Sequence, residues 1–336
     1  MPAFCFEDLK PGAVEEYGAY EMTREAIIRF ARQFDPQPFH LDDEAAKKSM
    51  LGGLSASGWH TASAAMRIAF DAYIHNSSSM GAPGVEELKW MKPVRPGDVL
   101  RARRRILGAR ASSSRPEMGL VHIGNEILNQ ADDVVMTQEF FAMMGRRGYD
   151  GGEEPTARKA APAPLKAATP DPAPQPQQLG FYEDLVVGRG LDLGTHHFTA
   201  EEIVAFAKDF DPQPFHLSEE GAAKSHFGRL AASGWHTGSV WMRKFLDTRA
   251  RQQQAVLDAG GPLPQGGPSP GFRNLKWNKP VYAGDDISYR TVLADKRPTS
   301  KPGWGLIFSH NTGTNQHGER VFEFLGSAFV QMRGGA

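Results

Sequence analysis

The sequence predicts an α+β protein built from two copies of one domain, and three observations carry that prediction. Near-identical blocks recur in the same order in the two halves. Within each half, amphipathic helical patterns come first and strand-like segments follow, the element order of an α+β domain. A proline-rich stretch without aromatic residues separates the halves. The chain has 336 residues, enough for two domains at roughly 100–200 residues each.

The repeat is explicit. ARQFDPQPFHL (31–41) returns as AKDFDPQPFHL (207–217), SASGWHT (55–61) as AASGWHT (231–237), and FEDLKPG (6–12) as YEDLVVG (182–188). LKWMKPVRPGD (88–98) returns as LKWNKPVYAGD (275–285) with eleven extra residues ahead of it. These fall in 247–271, which includes GGPLPQGGPSPG (260–271) and reads as a variable loop or a lid. So long a unit is no solenoid repeat, whose period is about 20–50 residues. The segment 153–178 holds seven prolines, and no aromatic residue occurs from Asp150 through Gly180. Such a stretch buries too little apolar surface to fold and reads as a semi-extended tether. The expected division is a first domain at 1–148, a linker at 149–179 and a second domain at 180–336.

Charge and composition narrow the function. Lys+Arg is 38 and Asp+Glu 39, so the net charge of −1 gives no bulk attraction to nucleic acid or anionic membrane. A single cysteine, Cys5, excludes an internal disulfide framework and a cysteine-rich metal site. No apolar run approaches the ~20 residues of a membrane helix. MPAFCFEDLK lacks the basic-then-apolar order of a signal peptide. The expectation is a cytoplasmic protein with neither a nucleic-acid nor a membrane partner.

The elements follow from periodicity. Thr23 opens a helical pattern with Ile27, Phe30, Ala31 and Phe34 on one face, and Thr199 opens its copy with Ile203, Phe206, Ala207 and Phe210. Thr199 and Glu202 fit a capping box. Pro36, Pro38, Pro212 and Pro214 stop these helices, so DPQPFH is expected as a constrained, extended loop. A second helix is expected from Ser57-Gly58 to about Phe70, with its partner starting at Gly234. The segments 99–109, 120–128 and 134–144 read as strands, the last two as an antiparallel hairpin, and 306–313 and 321–330 repeat that hairpin.

The chemistry-bearing residues sit in the repeated blocks. Asp35 and His40, and likewise Asp211 and His216, lie five residues apart on a proline-stiffened segment. A carboxylate beside an imidazole can activate water and move protons near neutral pH. The structural alternative is a capping aspartate and a histidine held by a backbone carbonyl. Gly58 and Gly234 open the long helices, where free N–H groups suit an anionic oxygen; close helix–sheet approach is the other reading. His60 and His236 have no metal-ligand spacing around them. RARRR (101–105) reads as a solvated strand surface, since copy two has ISYRT there.

These residues resemble the MaoC-like dehydratase family, the group containing (R)-specific enoyl-CoA hydratases. That family's loop reads Asp, any residue, Asn, Pro, an aliphatic residue, His. Here it stands as Asp35-Pro36-Gln37-Pro38-Phe39-His40 and Asp211-Pro212-Gln213-Pro214-Phe215-His216, with Gln for Asn and Phe for the aliphatic residue. The family's His-Gly pair and following serine are matched by Ser57-Gly58 and Ser63, and by Ser233-Gly234 and Ser239, with Ser in place of His. The resemblance spans nearly all of 6–145 and 181–331.

It implies a tandem hotdog, an antiparallel sheet wrapped around a long central helix, with the two copies forming an internal pseudo-dimer. A further homo-oligomer is compatible with it. It implies reversible hydration of a trans-2-enoyl-CoA to an (R)-3-hydroxyacyl-CoA, a hydro-lyase reaction. Asp35, His40, Asp211 and His216 would be catalytic, and Gly58, Ser63, Gly234 and Ser239 would bind substrate. The CoA thioester is the substrate, and neither a metal nor another cofactor is called for. Lys92, Lys279, Arg67 and Arg243 recur and could meet CoA phosphates or serve packing. A non-catalytic acyl-CoA or acyl-carrier binding module and a hotdog thioesterase are the rival readings.

Overall fold

The computed structural model describes residues 2–148 and 175–334. The tether expected at 149–179 lies outside the described residues up to 174; within its last part, Gln175 and Gln177 already bond to Gly190 of the second half.

The first half runs β1 (Val14–Met22), α1 (Arg24–Phe34), α2 (Pro38–Leu41), α3 (Asp43–Lys47), α4 (Gly58–Ala72), β2 (Gly84–Trp90), β3 (Asp98–Ala111), β4 (Met118–Leu128) and β5 (Val134–Gly145). The second repeats the order as β6 (Gly190–His197), α5 (Ala200–Phe210), α6 (Pro214–Leu217), α7 (Glu219–Ala223), α8 (Gly234–Asp258), β7 (Gly271–Trp277), β8 (Asp286–Pro298), β9 (Trp304–Thr314) and β10 (Arg320–Gln331). The ten strands make one antiparallel sheet in the order β1-β3-β4-β5-β2-β7-β10-β9-β8-β6. The second five strands repeat the first five in mirror order.

The helices form where the sequence places them. Thr23 Oγ1 accepts the Ala26 N–H at 3.1 Å, and Thr199 with Glu202 closes the capping box. The buried faces of α1 and α5 are the expected ones, Ile27, Phe30, Ala31 and Phe34 and their copies. Helix α4 is buried from Trp59 through Ala65, so its small residues are needed on every side.

Three expectations are corrected. DPQPFH is not wholly extended: Pro38 and Pro214 start one-turn helices that carry His40 and His216. Proline is tolerated at the first helical position because its missing N–H has no partner there. The eleven extra residues of copy two are mostly helix, since α8 has 25 residues against 15 in α4. The run TRARQQQAVLD contains no Gly or Pro until Gly260 and favours continuation. Strands β1, β2, β6 and β7 were also not expected. Strand β1 is exposed at most positions and so carries no alternating apolar signal.

The halves meet where β2 pairs with β7, in register from Gly84 opposite Lys276 to Lys89 opposite Gly271. Trp59 stacks on Phe272 of the other half at 5.4 Å and also meets Trp241 and Phe324. Arg67 Nη1 donates to Lys208 O at 2.9 Å, at the C-terminus of α5. Arg243 Nη1 returns the contact to Arg32 O at 2.9 Å. Both arginines therefore clasp the opposite half's helix end, the favourable site for a cation. At the strand junction a Cβ on Gly84 would lie 2.0 Å from Leu275 O. Backbone cannot yield cheaply, so Gly84→Ala is expected to cost about 1–3 kcal/mol, read as a lowered urea midpoint; an unchanged midpoint would refute this view of the seam.

Candidate active site

Each Asp–His pair is assembled by a helix end followed by a helical turn. Asp35 closes α1 with φ −143° and ψ 64°, which turns the chain so that the α2 turn presents His40 back toward it. Asp35 Oδ2 and His40 Nε2 lie 3.5 Å apart, and Asp211 Oδ2 and His216 Nε2 lie 3.4 Å apart. All four residues are buried. The sequence-expected catalytic residues are thus brought together in both halves.

The carboxylates are held by two donors each. Gln37 Nε2 donates to Asp35 Oδ1 at 2.8 Å and Ser57 Oγ to Asp35 Oδ2 at 2.6 Å. Gln213 and Ser233 do the same for Asp211 at 2.9 and 2.6 Å. The imidazoles are oriented by main chain. His40 Nδ1 contacts Ser55 O at 2.8 Å, and His216 Nδ1 contacts Ala231 O at 2.6 Å. A carbonyl only accepts, so Nδ1 carries a proton and Nε2 is the ring atom turned toward the carboxylate. Because the contact is to a backbone carbonyl, Ser55 can be Ala231 in the other copy.

The pairs open into two cavities, of about 450 Å³ at Asp35/His40 and about 330 Å³ at Asp211/His216. Each is walled by both halves. The first includes Trp241, Phe245 and Phe324, and the second Met66, Tyr73 and Phe140. The linings are mainly apolar, which strengthens electrostatic interactions within them.

Gly58 and Gly234 line the cavities at the first helical positions of α4 and α8. They also permit close packing: a Cβ would fall 2.3 Å from the Trp90 ring and 2.2 Å from the Trp277 ring. Close helix–sheet approach, one of the two readings of these glycines, is thus present in both halves. Ser63 and Ser239 are placed differently from the substrate contact expected of them. Each is fully buried and donates to a carbonyl of its own helix, Trp59 O and Trp235 O, at 2.8 Å. Neither forms part of the cavity walls. Lys92 and Lys279 do, and they pair with Asp133 and Glu319.

Sequence reasoning missed three features. Ser57 and Ser233 serve both as N-caps, accepting from Trp59 N and Trp235 N, and as carboxylate donors. Their place in the repeated SGWHT block was the available signal. The glutamines each donate to the carboxylate two residues before them. In RARRR, Arg101 and Arg103 are surface ion-pair formers, but Arg104 is buried and lines the second cavity. Strand alternation sends it to the inner face.

His60 and His236 are fully enclosed, with their ring planes stacked on Phe30 and Phe206 at 4.6 and 4.7 Å. Burial pushes each imidazole down to about 3. No group of three or more His, Cys, Asp or Glu residues among the described residues is placed to hold a metal ion. No described helix is long and apolar enough to cross a membrane.

Known proteins share this architecture. The family model of the MaoC like domain matches residues 10–127 and 186–304. The chain is 26% identical over 251 residues to the mesaconyl-CoA hydratase of Cereibacter sphaeroides, covering 67% of this chain and 64% of that protein. A crystal structure of a putative MaoC domain protein dehydratase from Chloroflexus aurantiacus superposes with TM-score 0.75 at 16% identity, covering 99% of both chains. A conserved hypothetical protein of Mycobacterium tuberculosis, described as having a double hotdog fold, superposes with TM-score 0.70 at 16% identity over 97% of this chain and 98% of its own. The fold is the double hotdog.

Proposed function

The chain belongs to the MaoC-like dehydratase family, carrying its domain twice, and from that premise we propose that it reversibly hydrates trans-2-enoyl-CoA thioesters to (R)-3-hydroxyacyl-CoA at two sites. The observation that carries this is the repeated 3.5 and 3.4 Å gap between Oδ2 and Nε2 inside an apolar cavity. Nε2 and Oδ2 are both acceptors in the neutral tautomer. A third atom can sit about 2.8 Å from each. A water there donates both hydrogens, one to each acceptor, and its remaining lone pair faces the acyl chain.

The chemistry then balances without an external reagent. The water oxygen bonds to Cβ, and one of the two acceptors takes the water proton. The Cα=Cβ electron pair moves toward the thioester carbonyl. A proton returned to Cα on the same face completes the addition. Backbone N–H at Gly58 or Gly234, reinforced by the helix dipole, would stabilise the transient oxyanion, an effect worth a few kcal/mol. The name of the Cereibacter relative, a hydratase of a CoA thioester, supports this reading.

The test is incubation with enoyl-CoA substrates of increasing length. Loss of the conjugated absorbance with formation of the 3-hydroxyacyl-CoA, and no release of free thiol, is expected. Free CoA as the product would make the protein a thioesterase. Calorimetric binding with no turnover of any enoyl thioester would make it a binding module.

A further inference from the structure

The second cavity contains a cation that the hydration step does not use. Arg104 on β3 is 3% exposed. Its guanidinium carbon lies 4.3 Å from the Tyr73 ring centroid, with Phe4 and Tyr17 at 5.3 and 5.5 Å. One nitrogen, Nη2, pairs with Glu15, whose side chain is half in solvent. The other, Nη1, is buried with no hydrogen-bond partner among the described residues. Across the strand pair stands Asn125, whose buried Oδ1 is likewise unpartnered. Both residues line the cavity that holds Asp211 and His216.

A buried donor or acceptor left unsatisfied is costly, and more so when it is charged. Two such groups side by side in a substrate cavity are matched by a polar ligand group. The corresponding cross-strand pair of the first cavity is Thr291 with Asn311, whose Oδ1 is likewise buried without a partner, so the asparagine is common to both cavities and the cation distinguishes the second. The ligand group must accept from the guanidinium nitrogen that the Glu15 pair leaves free, and must be small enough for about 330 Å³ shared with an acyl chain. A carboxylate meets both conditions, and with the Asn125 amide turned so that its NH₂ faces the cavity, Asn125 donates to the second oxygen.

We propose that the Asp211/His216 site takes enoyl thioesters whose acyl chain ends in a carboxylate, anchored by Arg104 and Asn125. This rests on the hydratase reading of the same site and names its substrate class. The two sites of one chain then differ in preference.

The experiment compares methyl-ended and ω-carboxy trans-2-enoyl-CoA thioesters, of four to eight carbons, in Asp35→Asn and Asp211→Asn proteins. The Asp35→Asn protein, which keeps the second site, is expected to favour the best ω-carboxy chain by about 30-fold or more in kcat/KM. Arg104→Met added to it should bring that ratio to near unity, and Arg104→Lys should restore part of it. A ratio that is equal in the two single variants, or unmoved by Arg104→Met, overturns the proposal. Calorimetry with saturated ω-carboxyacyl-CoA and its methyl-ended counterpart on the unmodified protein gives a readout independent of turnover and of variant folding. Tighter binding of the ω-carboxy ligand supports the anchor even if no thioester is hydrated, and equal binding of the two refutes it whatever the outcome of the hydration assay.

Discussion

Replacing Asp35 and Asp211 together by asparagine is expected to lower kcat/KM for the proposed enoyl-CoA hydration by about a thousandfold, since a positioned acid–base group contributes roughly 10²–10⁴. The substitution keeps side-chain volume and removes the charge and the second acceptor. Ser57 Oγ and Gln37 Nε2 both donate to the Asp35 carboxylate, as Ser233 and Gln213 do to Asp211. A single amide oxygen satisfies one of those donors and turns its NH₂ against the other. Each variant therefore also loses about 1–3 kcal/mol of stability, and activities are compared well below the midpoint of unfolding. Either single variant is expected to retain the activity of the other cavity. Wild-type hydration by the double variant would remove both aspartates from the mechanism. A single variant as dead as the double one would reduce the other cavity to a binding role.

The second large effect is on acid stability. His60 and His236 are neutral in the folded state, because burial holds each near 3, against an ordinary value of 6.5. The unfolded chain takes up a proton at each as pH falls through about 6.5, and the folded chain does not. Stability contributed by these residues is therefore complete above that pH and falls as pH drops from about 6.5 toward 3. At pH 5 the loss is about 2 kcal/mol per histidine. The expected result is that His60→Leu/His236→Leu protein loses about 4 kcal/mol less than wild type between pH 7 and pH 5, measured from denaturant midpoints at the two values. Leucine suits the aromatic surroundings, where Phe30 and Phe206 face the two rings. Parallel losses in the two proteins would show that these histidines are not proton-linked to unfolding.

Much of this architecture was legible in the residues themselves. The repeated blocks exposed the duplication, and the Thr23 and Thr199 caps and their apolar faces located α1 and α5 within a residue. The Asp–His pairs were legible because chemistry concentrates in a short, proline-fixed segment. Strands β1 and β6 were not, because edge strands exposed at half or more of their positions carry no two-residue apolar rhythm. The extension of α8 was masked by the conspicuous glycines and prolines that follow it. Ser63 looked functional by its place five residues after Gly58, but helical geometry points its hydroxyl at Trp59 O instead. The role of Arg104 depended on a partner element distant in sequence, since the wall it forms serves the aspartate and histidine of the other half.

That exchange of walls has an evolutionary corollary. In a dimer of identical single-domain chains, one codon change at such a wall alters both catalytic chambers at once. Here the chamber of the second copy is bounded by Arg104 and that of the first by Thr291, encoded separately. Fusion of the copies thus frees each chamber to drift toward its own preference while the Asp–His machinery in both stays the same.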